Sequence, residues 1–149
     1  MKISSRGKYG TRALLDLALQ GNGQPMPLKE IARRQEIPLA YLEHLISPFI
    51  NAGLVRSIRG VKGGVWLARP PREIKLNQVV ELLEGSIAPV ECVANPDECS
   101  RSGFCAARDI WSELERAMTS VLECTTLEDL VERQRRKENP RETGEMYYI

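Results

Sequence analysis

Cys92, Cys99 and Cys105 fall in one short stretch that also carries Asn95-Pro96-Asp97 and Ser102-Gly103. Those neighbours favour turns, so the stretch is expected to be a loop that can fold its sulfurs toward one point. Thiolates are the preferred ligands of iron–sulfur clusters, and three of them leave one iron position to another ligand or to solvent. Structural zinc usually takes four Cys/His ligands, often with a Cys-x-x-Cys knuckle, and neither is present. A thiol–disulfide switch between two of the three cysteines ranks between cluster and zinc. Asp97, Glu98 and Asp109 are nearby oxygen donors. Cys124 lies beyond a long helix, well over ~20 Å from Cys105 at a rise of ~1.5 Å per residue. It is expected to be a buried structural cysteine, with reach from an antiparallel partner helix as the alternative.

The composition bounds where such chemistry takes place. A chain of 149 residues builds one domain, or a small domain with a helical arm. No apolar run approaches the ~20 residues of a membrane span. The start, Met1-Lys2-Ile3-Ser4-Ser5-Arg6, carries no signal-peptide core, so a cytoplasmic protein is expected, with no membrane partner. Thiols stay reduced there, which favours metal or redox roles over structural disulfides. The net charge of +1 hides an asymmetry: Met1 to Arg72 holds 12 Lys/Arg against 4 Asp/Glu, and Glu73 to Ile149 holds 9 against 16. A basic front half suits a polyanion such as DNA. With no Cys-x-x-Cys, no nucleotide-binding glycine motif and one histidine, the chain does not read as an enzyme. A small electron carrier would not need the basic front half.

The elements that position these groups follow from periodicity and caps. Ser4 and Ser5 cap a first helix to about Gln20, with Tyr9, Ala13, Leu14, Leu17 and Ala18 on its apolar face. A short helix spans Leu28 to about Gln35, and a tight turn at Gln35-Glu36-Ile37 follows. Pro38 then stands in the first turn of a third helix. There Leu42, Leu45, Ile46, Phe49 and Ile50 form a stripe, backed by Ala40, His44, Ser47 and Asn51, with Glu43 at the edge. That division suits a helix laid in a major groove. Pro48 is expected to kink or end the helix, and Gly53 to cap it. Two short strands, Leu54 to Arg59 and Val65 to Arg69, flank the basic glycine-rich tip Gly60-Val61-Lys62-Gly63-Gly64 as a hairpin. The fold expected is mainly α: a winged helix-turn-helix with a small β-hairpin wing and a long C-terminal dimerisation helix.

After Pro70-Pro71 come a short helix from Leu76 to Glu84, closed by Gly85, the cysteine stretch, and a long helix from Cys105 to about Glu123. Ala107, Ile110, Trp111, Leu114, Met118, Val121 and Leu122 stripe that helix, and a two-fold partner would cover them. Thr126 and Asp129 cap a last helix from Leu127 to about Lys137, and a polar tail with Tyr147 and Tyr148 follows. The division is 1–72 for DNA binding, 73–137 for sensing and dimerisation, and 138–149 for a mobile tail.

These runs together resemble the IscR/NsrR/CymR family of dimeric bacterial winged-helix regulators. The resemblance rests on Met1-Lys2-Ile3-Ser4-Ser5-Arg6-Gly7-Lys8-Tyr9, Leu28-Lys29-Glu30-Ile31-Ala32, Tyr41-Leu42-Glu43-His44-Leu45, and Ala52-Gly53-Leu54-Val55. The wing, the cysteine stretch, Asp109-Ile110-Trp111 and Thr126-Leu127-Glu128-Asp129-Leu130 extend it to about Arg133. It implies a homodimer that binds double-stranded DNA at a near-palindromic operator and responds through its sensing loop. Members with three cysteines there hold an iron–sulfur cluster, and 2Fe–2S is preferred here to 4Fe–4S. The implied ligands are Cys92, Cys99 and Cys105. The first gap is one residue longer than in the best-known IscR proteins. Where those place a histidine after the last cysteine, this chain has Arg108, which stays protonated. Where NsrR uses an aspartate from the partner, this chain has Lys8. The fourth ligand is unassigned.

The expected DNA contacts are Ala40, Tyr41, Glu43, His44 and Ser47 around the third helix, and Arg59, Lys62 and Gly63 on the wing. The function expected is a transcriptional repressor of cluster-biogenesis genes. The alternatives are a nitric-oxide or redox-responsive repressor using the same cysteines, or a cofactor-free regulator controlled by a protein or small molecule.

Overall fold

The computed structural model of the chain describes residues 1–140. Helix α1 (Ser5–Gln20) starts where Ser4 Oγ accepts from the Gly7 backbone N–H, and it buries Ala13, Leu14 and Leu17. Helix α2 (Leu28–Gln35) buries Ile31 and Ala32, and Glu36 ends it in the left-handed region at φ 54°. Helix α3 (Leu39–Asn51) has Pro38 as its N-cap, one position ahead of the expected first turn.

Pro48 does not end α3, which runs three residues further to Asn51. A proline there deprives the carbonyl four residues earlier of its donor. That carbonyl belongs to His44, an exposed residue. The cap is Ala52, and Gly53 follows it at φ +74°. Leu54 N then donates to Phe49 O at 2.9 Å and Gly53 N to Ile50 O at 3.0 Å, the paired bonds of a Schellman ending. Four residues of the expected stripe, Leu42, Leu45, Ile46 and Phe49, are buried, while Ile50 is half-buried.

Strands β1 (Val55–Ile58) and β2 (Gly64–Leu67) pair antiparallel, with Val55 opposite Leu67 and Ile58 opposite Gly64. Met26 exchanges both backbone bonds with Val65 at 2.9 Å, so the segment before α2 adds a rung to the wing. Gly64 permits this approach, since a Cβ there would lie 2.3 Å from Met26 O.

A 3-10 turn at Pro71–Glu73 leads to α4 (Leu76–Glu84), which Gly85 closes at φ +75°. Helix α5 (Glu91–Ala94) and 3-10 turns at Pro96–Glu98 and Ser102–Phe104 carry the cysteine stretch. Helix α6 (Ala106–Cys124) is the longest element, and α7 (Leu127–Glu138) begins at a complete capping box between Thr126 and Asp129. Leu76 N donates to Thr125 O and Leu127 N to Ile74 O, which stitches the starts of α4 and α7 together. One apolar cluster results: Leu14, Leu17, Leu42, Phe49, Val55, Ile74, Val79, Leu83 and Leu127 all belong to it. Full burial of each of these side chains contributes about 1.5–3 kcal/mol. Helix α6 stands apart from this core, with no buried residue at all. The polar tail with Tyr147 and Tyr148 lies outside the described residues.

Candidate nucleic-acid interface and cysteine segment

A buried carboxylate sets the angle between the first two helices. Asp16 in α1 is 3% exposed. It accepts from Arg34 Nε at 3.0 Å, from Arg34 Nη2 at 2.7 Å and from Gln35 Nε2 at 3.0 Å. Arg12 closes the circuit, donating to Gln35 Oε1 at 3.1 Å and to the Gln35 carbonyl at 2.8 Å. The hydrogen bond to Asp16, helped by its charge and that of Glu30, raises the pKa of Arg34 further and keeps the guanidinium charged. Sequence reasoning missed this lattice. Its only trace is a lone aspartate inside an otherwise apolar helical face.

Helix α3, anchored by its buried stripe, turns Ala40, Glu43, His44 and Ser47 outward, and all four are exposed. Tyr41 differs: it is half-buried, its ring edge-on to Tyr9 with centroids 6.3 Å apart. Tyr9 in turn lies under Lys8 Nζ at 4.7 Å and the Arg12 guanidinium at 5.5 Å. Arg59 and Lys62 are exposed on the wing. Gly63 is half-buried at the closure of the tip, where a Cβ would meet Ile58 O at 2.5 Å. An open groove of about 580 Å³ separates helix from wing, with Leu39, Glu43 and Ser47 on one wall and Ile58 and Arg59 on the other. The recognition helix thus offers hydrogen-bonding groups, and the wing a cation, from two sides of one concavity.

The cysteine segment is more ordered than the loop expected from its turn residues. Cys92 sits in α5, Cys99 follows the 3-10 turn at Pro96–Glu98, and Cys105 is the N-cap of α6. All three thiols are half-buried. Arg108, one turn into α6, donates from Nε to the Cys92 carbonyl at 2.8 Å. Ser102 Oγ donates to the Pro96 carbonyl at 2.7 Å, and Asn95 bonds to Glu91. The donor chemistry therefore suits an iron–sulfur cluster: three half-buried thiols on one stitched segment, the last beside the partial positive charge of a helix start. Among the described residues, however, no three Cys, His, Asp or Glu side chains are gathered tightly enough to hold a metal ion.

Cys124 is exposed at the end of α6, not buried as expected, because α6 sinks none of its residues into the core. Along the same helix Ile110, Trp111 and Val121 are 56%, 39% and 66% exposed. No helix among the described residues is long and apolar enough to cross a membrane.

Three helices and a two-stranded wing, with an open concavity between recognition helix and hairpin, define a winged helix-turn-helix DNA-binding protein. The profile of the Rrf2 family, described as iron-dependent transcriptional regulators, matches residues 3–133, and the chain belongs to this family. Protein rrf2 of Nitratidesulfovibrio vulgaris is 44% identical over 131 residues, covering 88% of this chain and 87% of that one. The structure of CymR, the global cysteine regulator of B. subtilis, superposes with a TM-score of 0.75 at 39% identity, covering 89% of this chain and 97% of the other. IscR of T. potens gives a TM-score of 0.75 at 36% identity, with 99% and 97% covered. The protein is accordingly a transcriptional regulator, and its relatives are regulators, not enzymes.

Proposed function

We propose that the chain is a cytoplasmic, homodimeric repressor that senses iron–sulfur supply, and so controls genes of cluster biogenesis. The observation that carries this reading is the stitched segment with three half-buried thiols at the foot of α6. Cys92, Cys99 and Cys105 would hold the cluster, favoured as 2Fe–2S, with the fourth ligand open. When bound, such a cluster supplies a centre that oxidants and iron shortage destroy.

The chain's own residues do the rest. Ala40, Glu43, His44 and Ser47 face the major groove: His44 donates to a base edge, and Glu43 accepts from cytosine. Tyr41 shapes the start of the recognition helix from its seat on Tyr9. Arg59 and Lys62 neutralise phosphates from the wing, and Gly63 closes the tip that carries them. A second copy covers the apolar face of α6, pairing two recognition helices for a near-palindromic operator with half-sites about one turn apart. Ordering of the segment between α5 and α6 is transmitted along α6 to its mate, so DNA affinity and thiol state modulate each other.

Protein purified without oxygen, assayed for iron, sulfide and visible absorption, tests the reading. Colour that disappears in Cys92→Ala while the fold survives is the expected result. Colourless protein that rejects reconstitution overturns the cluster. A second reading keeps the repressor without a cofactor, controlled by a protein, a small molecule or thiol oxidation. The ungathered thiols favour it, as does the equally good superposition on CymR. A gel shift with reconstituted, reduced and oxidised protein separates the two.

A further inference from the structure

The wing ends in an apolar side chain that the protein leaves bare. Gly63 N donates to Gly60 O at 2.9 Å, and Gly60 sits at φ +117°, so the tip is a tight turn with Val61 and Lys62 at its centre. Val61 is fully exposed, at 107% of its reference area. Turn centres ordinarily take Gly, Asn, Asp or Ser, and a β-branched apolar residue there gains nothing from water. Its near neighbours in the chain, Arg59 and Lys62, are both exposed, and the run from Ala52 to Arg72 holds no acidic residue.

An apolar point flanked by two cations matches a DNA minor groove. The phosphate walls attract the cations, and the floor over A·T pairs shows only acceptor edges, whereas each G·C pair raises the guanine 2-amino group. Minor-groove proteins also set apolar side chains among the base steps of that groove. We propose that Val61 is a specificity-determining residue, its methyl groups resting on the minor-groove floor beside each half-site and selecting A·T over G·C there. Arg59 and Lys62 hold it in place from the walls. The proposal rests on the DNA-binding reading and adds to it a sequence preference outside the reach of α3.

The test uses the full-length protein and a duplex recovered by selection from a randomised library, with the pairs under the wing located by hydroxyl-radical protection. Those pairs are then made A·T, G·C or inosine·C. Inosine keeps the major-groove face of guanine and lacks the 2-amino group. At fixed salt, wild type is expected to bind the A·T and inosine·C duplexes about tenfold more tightly than G·C, within the usual effect of one wrong pair. Val61→Gly and Val61→Ser should bind all three within about twofold, with an unchanged salt slope because no phosphate contact is lost. Lys62→Ala should keep the A·T preference and lower the slope by about one. Unaltered Trp66 emission in each variant shows that the wing is intact.

Discrimination that survives both Val61 variants but vanishes in Arg59→Ala assigns the preference to groove width and overturns the proposal. A loss of dimer mass in Val61→Gly overturns it in favour of a protein contact. Wild type that binds no duplex removes the DNA-binding reading itself, a failure visible before any variant is made.

Discussion

Arg108 Nε lies 2.8 Å from the carbonyl oxygen of Cys92, so the first turn of α6 holds the helix that carries the first cysteine of the segment. The Arg108 guanidinium thus holds the backbone beside one of the three thiols. A hydrogen bond from a charged donor contributes about 1.5–3 kcal/mol. Arg108→Ala is therefore expected to raise the rate at which Cys92 reacts with a thiol reagent by about tenfold, the kinetic equivalent of ~1.4 kcal/mol. Global stability should change little, because the segment lies outside the core. Mass spectrometry of timed labelling reads this residue by residue, and Arg108→Lys should restore part of the protection. Equal labelling in wild type and variant would show that the contact does not order the segment.

The exposed face of α6 gives a second expectation. Ile110, Trp111 and Val121 line a helix with no buried residue, and a second copy is the occupant that the repressor reading requires. Ile110→Asp with Val121→Asp should halve the sedimenting mass while leaving the melting of the separate core nearly unchanged. A variant that remains dimeric places the interface elsewhere.

Legibility in the sequence followed the range of the interaction. The α3 stripe, the Thr126–Asp129 box and the hairpin arise within a few residues of chain, where periodicity and cap chemistry are strong signals. The Asp16–Arg34 pair spans 18 residues and the Arg108–Cys92 bond 16, and no local rule announces either. Pro48 reads as a kink or an early helix end because its cost is local, whereas the four buried residues Leu42, Leu45, Ile46 and Phe49 carry the helix on to Asn51. The cysteines were visible as a donor set. Their positions on α5, a 3-10 turn and the α6 cap were not, since turn residues such as Asn95-Pro96 also start short helical turns. Cys124 was misplaced because an apolar stripe suggests burial without saying whether the cover comes from the same chain.

The capping box of α7 predicts an acid dependence. The Thr126 N–H donates to Asp129 Oδ2 at 2.8 Å, and the Asp129 N–H donates to Thr126 Oγ1 at 3.2 Å. The backbone bond from Thr126, then its hydroxyl, hold the carboxyl of Asp129 below its ordinary 3.8. A depressed folded-state value means that the stabilisation is fully present above the unfolded value and is lost as pH falls through the folded one. Asp129→Ala should therefore melt earlier than wild type at neutral pH, and the gap should close as the solution is acidified below about 3.8. Melting curves across that range check it, and a gap that stays constant would mean that the box contributes through packing alone.

Asp16 gives the strongest stability expectation because its partners have little alternative. Arg34 keeps a second acid in Glu30, but that contact is 3.5 Å and on the exposed side, where an ion pair contributes less than about 1 kcal/mol. Asn at position 16 has nearly the same volume and retains one acceptor, so Asp16→Asn removes the charge without opening a cavity. It leaves the partly buried Arg34 without its near partner and turns an amide N–H toward cationic donors, at a cost of about 2 kcal/mol. Urea titration should show a lower midpoint with an unchanged slope. Since the same carboxylate ties α2 to α1, affinity for a selected duplex should fall as well, even though Asp16 is buried and does not line the groove. A lowered midpoint with unchanged affinity would show that the turn holds α3 without help from this carboxylate.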